Sequence, residues 1–198
     1  MALSEPADIR ERILEAATVL FVAQGYRGIS MREIAEAVGV SKAGVYYHFR
    51  DKEALFLAIL SHNLERMEAI MRQARQAGPS ARQQITHMVR AIFELAPDQR
   101  AIIRLASQEM THLSQAVRAE FARLYRDKFT GQVEAMLRAG MDGGELRAMD
   151  AGLATWVLLG MMYPFFYPSQ SREEDSSGEA IELILDIFFE GAGQVQRT

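Results

Sequence analysis

The sequence predicts an all-α protein of about nine helices, with an N-terminal three-helix helix–turn–helix domain and a larger helical domain behind it. Three observations carry this. Apolar residues recur at three- and four-residue steps nearly throughout, and no period-two run is long enough for a strand. Five prolines and a set of Ser and Gly punctuators break the pattern at helix-length intervals. Ala35, Gly39 and Val45 stand at positions five, nine and fifteen of a helix–turn–helix.

The first helix spans about 7–24, with Ile9, Ile13, Leu14, Ala17, Leu20 and Phe21 on one side and Gly25 past its end. Ser30 and Glu33 form a capping box that opens the second helix, which stops at Gly39. Ser41 caps the third helix, which runs to about Phe49. The fourth follows Asp51 and extends to about Gln76. Beyond the break at Gly78-Pro79-Ser80, helices are expected over about 81–95, 98–110, 114–140, 150–165 and 178–192. The polar, acidic stretch 168–178 reads as a mobile loop, and Ser176 with Glu179 as a further capping box. The expected domain division is 1–52 and 53–198.

Composition narrows the function classes. A chain of 198 residues with 49% hydrophobic and 24% charged residues is an ordinary globular sequence with core enough to fold unaided. The absence of cysteine excludes a disulfide framework, a thiol nucleophile and thiolate metal sites. Net charge is −4, so any nucleic-acid contact must come from a local patch. Gly25 to Lys52 holds five Lys/Arg against three Asp/Glu, whereas 53–198 holds 15 against 19. The uncharged run Ala151 to Tyr167 sits at the lower edge of membrane-span length, but Pro164 and the acidic stretch after it favour a buried or interfacial helix. Residues 1–12 are polar, with no apolar signal core, so the expected compartment is the cytoplasm.

In the helix–turn–helix, Ala35 lets the helices approach, Gly39 permits the turn and Val45 locks the second helix on the first. That second helix exposes Lys42, Ala43, Gly44, Tyr46, Tyr47 and His48, a surface suited to the DNA major groove. The stretch Phe21, Gly25-Tyr26, Ser30 to Ala35, Gly39 to Phe49 and Lys52 to Leu55 resembles the TetR family of transcriptional repressors over about residues 10–57. The resemblance implies an all-α homodimer bound to a double-stranded DNA operator. It implies that Ser30 and Arg32 meet phosphate and sometimes a base. It implies that Lys42, Ala43 and Gly44 face the bases, beside the Ser41 cap. Tyr46, Tyr47, His48 and Lys52 would then meet phosphates. Gly44 has no side chain to read with, so Lys42 is the best base reader, most naturally of guanine.

The last helix is apolar almost all round, with Ile181, Ile184, Leu185 and Phe188 on one face and Leu183, Ile187 and Phe189 beside them. Gly152, Trp156, Gly160 and Pro164 recur every four residues in the helix before it. A dimer interface is therefore expected at Gly152, Trp156, Gly160, Ile181, Ile184, Leu185 and Phe188. The candidate pocket for a small hydrophobic effector is Phe93, Arg104, Met110, Phe121, Trp156, Met161, Tyr163 and Phe166. The strings RLASQEMTHL, EFARLYRDKF and LLGMMYPFFYPS look like the family's acyl-CoA-sensing subset. That likeness implies a CoA phosphate for Arg118, Arg123, Arg126 and Lys128. A solvated basic face is the plainer reading of the same cations.

No enzymatic role, cofactor or metal is expected. Glu109 and His112 give a single E-x-x-H, where a di-metal bundle needs two plus further carboxylates. No G-x-S-x-G, P-loop or G-x-G-x-x-G is present. The expected function is a dimeric repressor released by a hydrophobic effector. An activator of the same fold, or an interaction module that has lost DNA binding, are the alternatives.

Overall fold

The computed structural model describes residues 6–167 and 177–192. Ten α-helices are found there: α1 (Pro6–Gly28), α2 (Met31–Val38), α3 (Lys42–His48), α4 (Lys52–Gln76), α5 (Ala81–Phe93), α6 (Pro97–Glu109), α7 (Gln115–Tyr125), α8 (Gly131–Asp142), α9 (Ala151–Met162) and α10 (Ser177–Ala192). Single 3-10 turns follow α6 and α9. Among the described residues no strand is formed, and no helix is long and apolar enough to cross a membrane. The expected loop 168–178 and the Ser176 cap fall almost wholly outside the described residues.

The chain divides into two compact units, and the division differs from the expected one at residue 52. The first holds the residues up to Asn63 together with Pro97–Arg123. Its core is laid down by α1: Ile13, Ala17 and Phe21 are fully buried. The Phe21 ring meets Phe56 of α4 edge-on at 5.5 Å, and Tyr26 lies 5.0 Å from Phe56. Ile102 and Leu105 of α6, Leu113, and Val117 of α7 join the same core. Sequence periodicity shows that such helices are amphipathic but not which core they join. Two carboxylates fasten them. Glu109 Oε1 accepts from the Tyr26 amide at 3.1 Å, just past Gly25, whose φ is 75°. Glu53 accepts from both the amide and the hydroxyl of Ser114 at 2.7 Å, capping α7. Glu109 of the E-x-x-H pair is thus a structural acceptor.

The second unit comprises Leu64–Ala96 and the described residues from Leu124 onward. In it α8 packs on α5 and α9, and α10 packs on both α5 and α9. Glu145 caps α5 through the Ala81 and Arg82 amides at 2.7 and 2.9 Å. Arg147 holds the end of α10 by donating to the Ala192 and Gly191 carbonyls.

Two expectations are corrected here. The helix expected over 114–140 is interrupted by a π turn at Arg126–Thr130. Gly131 permits it, because a Cβ there would lie 2.8 Å from the Arg126 carbonyl oxygen. Ile181, Ile184, Leu185 and Phe188 were expected at a dimer interface, yet all four are buried within their own chain. Each such burial stabilises the fold by roughly 1.5–3 kcal/mol, so these residues are spent on the subunit's own core. The exposed apolar positions of α10 are instead Leu183 and Ile187.

Candidate nucleic-acid interface

The operator-facing candidates are set by two short helices. α2 begins with both halves of the capping box formed. The Glu33 amide donates to Ser30 Oγ at 3.3 Å, while the Ser30 amide and hydroxyl donate to Glu33 Oε2 at 2.8 and 2.7 Å. Those two bonds hold the Glu33 carboxyl below the usual carboxylate range. α2 ends at Gly39, whose φ of 74° and αL conformation turn the chain toward α3. Ser41 Oγ accepts from the Gly44 amide at 3.0 Å and opens α3. Fully buried Val45 anchors α3 on Ile34, Ala35 and the rest of the first core.

Burial of Val45 turns Lys42, Ala43, Tyr46 and Tyr47 outward, all exposed, Tyr47 at 83%. Gly44 and His48 are intermediate. The Lys42 ammonium lies 5.6 Å from the Tyr46 ring centroid, and Tyr47 meets His48 edge-on at 5.1 Å. Exposed Arg32 pairs with Glu36 at 2.8 Å across one helical turn, an interaction worth little in water. Beside them runs a groove of about 420 Å³ whose lining includes Arg27, Ser30, Arg32, Lys42, Tyr46 and Lys52. Arg27 was not among the expected residues, although its position just before Gly28-Ile29-Ser30 signalled a cation at a helix end.

Lys52, expected at a phosphate, also turns its ammonium to the protein. Its ammonium donates to the Tyr26 and Ile29 carbonyls at 3.0 and 2.8 Å, and it sits 4.4 Å from the Tyr26 ring centroid. Burial pulls its pKa down from the usual lysine range. The same site raises the Tyr26 phenol to about 12, first through burial and then through Glu53, Asp51 and Glu109.

Two relations with known proteins place this geometry. Residues 13–59 match the family model for bacterial regulatory proteins of the tetR family. Residues 78–164 match a model described as a tetracyclin repressor-like C-terminal domain. The chain belongs to the TetR family. Its TetR relatives include the transcriptional activator FasR of Mycolicibacterium smegmatis, 38% identical over 85 residues, which are 43% of this chain and 39% of FasR. The match thus spans well under two thirds of that relative. The repressor KstR2 of the same organism is 24% identical over 78% of this chain and 79% of its own. Among solved TetR folds, AibR in complex with isovaleryl coenzyme A and operator DNA superposes with a TM-score of 0.78. It is 22% identical, covering 91% of this chain and 98% of AibR.

The expected effector residues separate by unit. Arg104, Met110 and Phe121 belong to the first, where Met110 and Phe121 pack against the core around Phe21. Phe93, Trp156, Met161, Tyr163 and Phe166 belong to the second. There Phe93 meets Phe166 at 5.6 Å with the rings tilted, and the Tyr163 and Tyr167 hydroxyls lie 2.6 Å apart. Trp156 is 59% exposed on α9, with Leu153, Val157 and Gly160 exposed on the same helix. Of the four cations set aside for a CoA phosphate, three are engaged within the fold. Arg118 donates to the Leu113 carbonyl, Arg123 pairs with Glu120, and Lys128 pairs with Glu68.

Proposed function

We propose that this chain is an operator-binding transcriptional repressor that acts as a homodimer in the cytoplasm and is released by a small hydrophobic effector, with no catalytic role. The observation that carries it is the outward face of α3. Lys42, Tyr46 and Tyr47 stand exposed on a helix whose opposite side is locked by Val45. Lys42 reads a base, most naturally guanine. Ser30, Arg32, Ser41, Tyr46, Tyr47, His48 and Lys52 hold the sugar–phosphate backbone, with Ala43 and Gly44 allowing close approach. Residues 1–52 serve the operator, and 53–198 serve dimerisation and the effector.

The homodimer reading is supported by the exposed apolar set on α9 and α10: Leu153, Trp156, Val157, Leu183 and Ile187. A helix–turn–helix monomer reads few base pairs, and a two-fold pair matches a pseudo-palindrome. AibR, whose solved complex contains isovaleryl coenzyme A, supports an acyl thioester as the first effector class to try. α4 runs unbroken from Lys52 to Gln76, so an effector that shifts it would respace the recognition helices. The name of FasR favours a second reading, activation by the same contacts.

The test takes a duplex selected from random or genomic DNA by the purified protein. Lys42→Ala should reduce the ratio of affinities for that duplex and for one mutated at the contacted base by roughly 5- to 100-fold, as expected for one lost base contact. An unchanged ratio would remove Lys42 from the base-reading role.

A further inference from the structure

We propose that Arg27 is a further phosphate-holding residue of the operator face, closing on one DNA phosphate together with the remaining N–H of Lys52. The inference rests on the operator-binding reading and adds to it a contact outside the helix–turn–helix. The groove beside α2 and α3 is lined by four cations, Arg27, Arg32, Lys42 and Lys52. Three of them have partners inside the fold. Arg32 gives its Nε to Glu36 at 2.8 Å, and the Lys42 ammonium lies 5.6 Å from the Tyr46 ring centroid. The capping box takes the Ser30 and Glu33 amides, and Lys52 donates to the Tyr26 and Ile29 carbonyls that those amides would meet in a continuous helix. Two of the three Lys52 N–H groups are thereby used, and one is left. Among the described residues, the exposed Arg27 side chain makes no hydrogen bond, ion pair or ring contact.

Arg27 and Lys52 are held side by side. The Lys52 ammonium lies 3.0 Å from the carbonyl of Tyr26, the residue before Arg27, and both side chains line the same groove. Burial is the larger cause of the lowered Lys52 pKa, and the Arg27 charge lowers it further against the pull of Glu109 and Glu33. Neighbouring cations destabilise each other until an anion joins them. Glu33, the one acid in the groove lining, does not fill that place, because its Oε2 accepts from the Ser30 amide and hydroxyl. A phosphate does fill it. The planar guanidinium fork of Arg27 matches two phosphate oxygens, and the Lys52 ammonium adds a point charge beside them. A structural role for Arg27, as a cation at the end of α1, is weak by comparison. Gly25, at φ 75°, interrupts α1 just before its end, so only a short helical piece and a small dipole stand behind Arg27.

The experiment compares full-length wild type, Arg27→Ala and Arg27→Lys. Each is titrated across salt with the selected duplex, with that duplex mutated at the base assigned to Lys42, and with a random-sequence duplex. Thermal unfolding of the free proteins is measured beside it. Arg27→Ala should bind all three duplexes more weakly by a similar factor, roughly tenfold per protomer, with a log–log salt slope shallower by about 0.9 per protomer. Its melting temperature should equal or exceed that of wild type, because a charge repelled by Lys52 is gone. Arg27→Lys keeps the charge without the fork, so it should recover the wild-type slope and only part of the affinity. A wild-type slope in Arg27→Ala would overturn the proposal, and so would a loss confined to the selected duplex, which marks a base reader. A slope in Arg27→Lys as shallow as in Arg27→Ala would overturn it too. Wild type that binds while Arg27→Ala matches it removes this inference alone. Wild type that binds none of the three duplexes removes the operator reading and this inference with it.

Discussion

Glu33 shows how much one side chain can set at this interface. It completes the α2 cap, and in doing so it redirects the amides whose carbonyls Lys52 then takes. Its folded pKa lies below the usual carboxylate range because the ionised form accepts from Ser30. A depressed carboxyl stabilises the fold above the pKa of a free glutamate, and that contribution is lost as pH falls through the lower folded value. Glu33→Gln keeps an acceptor without the charge. The stability gap between wild type and Glu33→Gln, measured by urea unfolding, should be present at pH 7 and close below about pH 4. A gap that stays constant with pH would show that the carboxylate charge plays no part. The capping box itself was legible in Ser30 and Glu33. The destination of Lys52 was not, because it depends on a turn 23 to 26 residues away in the chain.

Among the elements, the helices through α6 lie close to where periodicity and caps put them, because their Ser caps, Gly39 and the Gly78-Pro79-Ser80 break are local signals. The π turn between α7 and α8 was invisible. A π turn adds one residue to a helical turn without altering the apolar spacing enough to announce itself. Gly131 accommodates it, since a Cβ would lie 2.8 Å from the Arg126 carbonyl oxygen, a backbone atom unable to move aside cheaply. Gly131→Ala should therefore destabilise the chain by about 1–3 kcal/mol. Gly191→Ala, with open space around its Cβ in α10, should stay within about 1 kcal/mol of wild type. Thermal unfolding of the two variants makes the comparison. Equal melting temperatures would mean that the π turn tolerates a side chain. Lys128, within the turn, pairs with Glu68 at 2.8 Å. The choice of face on α10 was also illegible, since apolar residues run nearly all round it. Only packing reveals that Ile184 and Leu185 are core while Leu183 and Ile187 are exposed.

At the scale of the whole molecule, a chain of net charge −4 binds nucleic acid only if its cations are gathered on one face. Arg27, Arg32 and Lys42 line one groove, and on the proposed reading they would supply that patch, doubled by a second copy. On the proposed reading, the exposed tryptophan and aliphatic side chains of α9 and α10 would supply a surface for such a copy. Their residue types were plain in the sequence, whereas their exposure follows from what the rest of the second unit leaves uncovered. The proposed function stands or falls on specific, dimeric operator binding. The most direct measurement is selection of DNA fragments by the purified full-length protein, followed by titration of the enriched duplex across salt and determination of protomers bound per duplex. Specific dimeric binding predicts a pseudo-palindrome, two protomers, and a log–log salt slope of roughly −5 to −7, which is about three to four phosphates neutralised per protomer. Failure to enrich any sequence, with or without acyl-CoA thioesters, would contradict it, as would one protomer per site with a slope near zero.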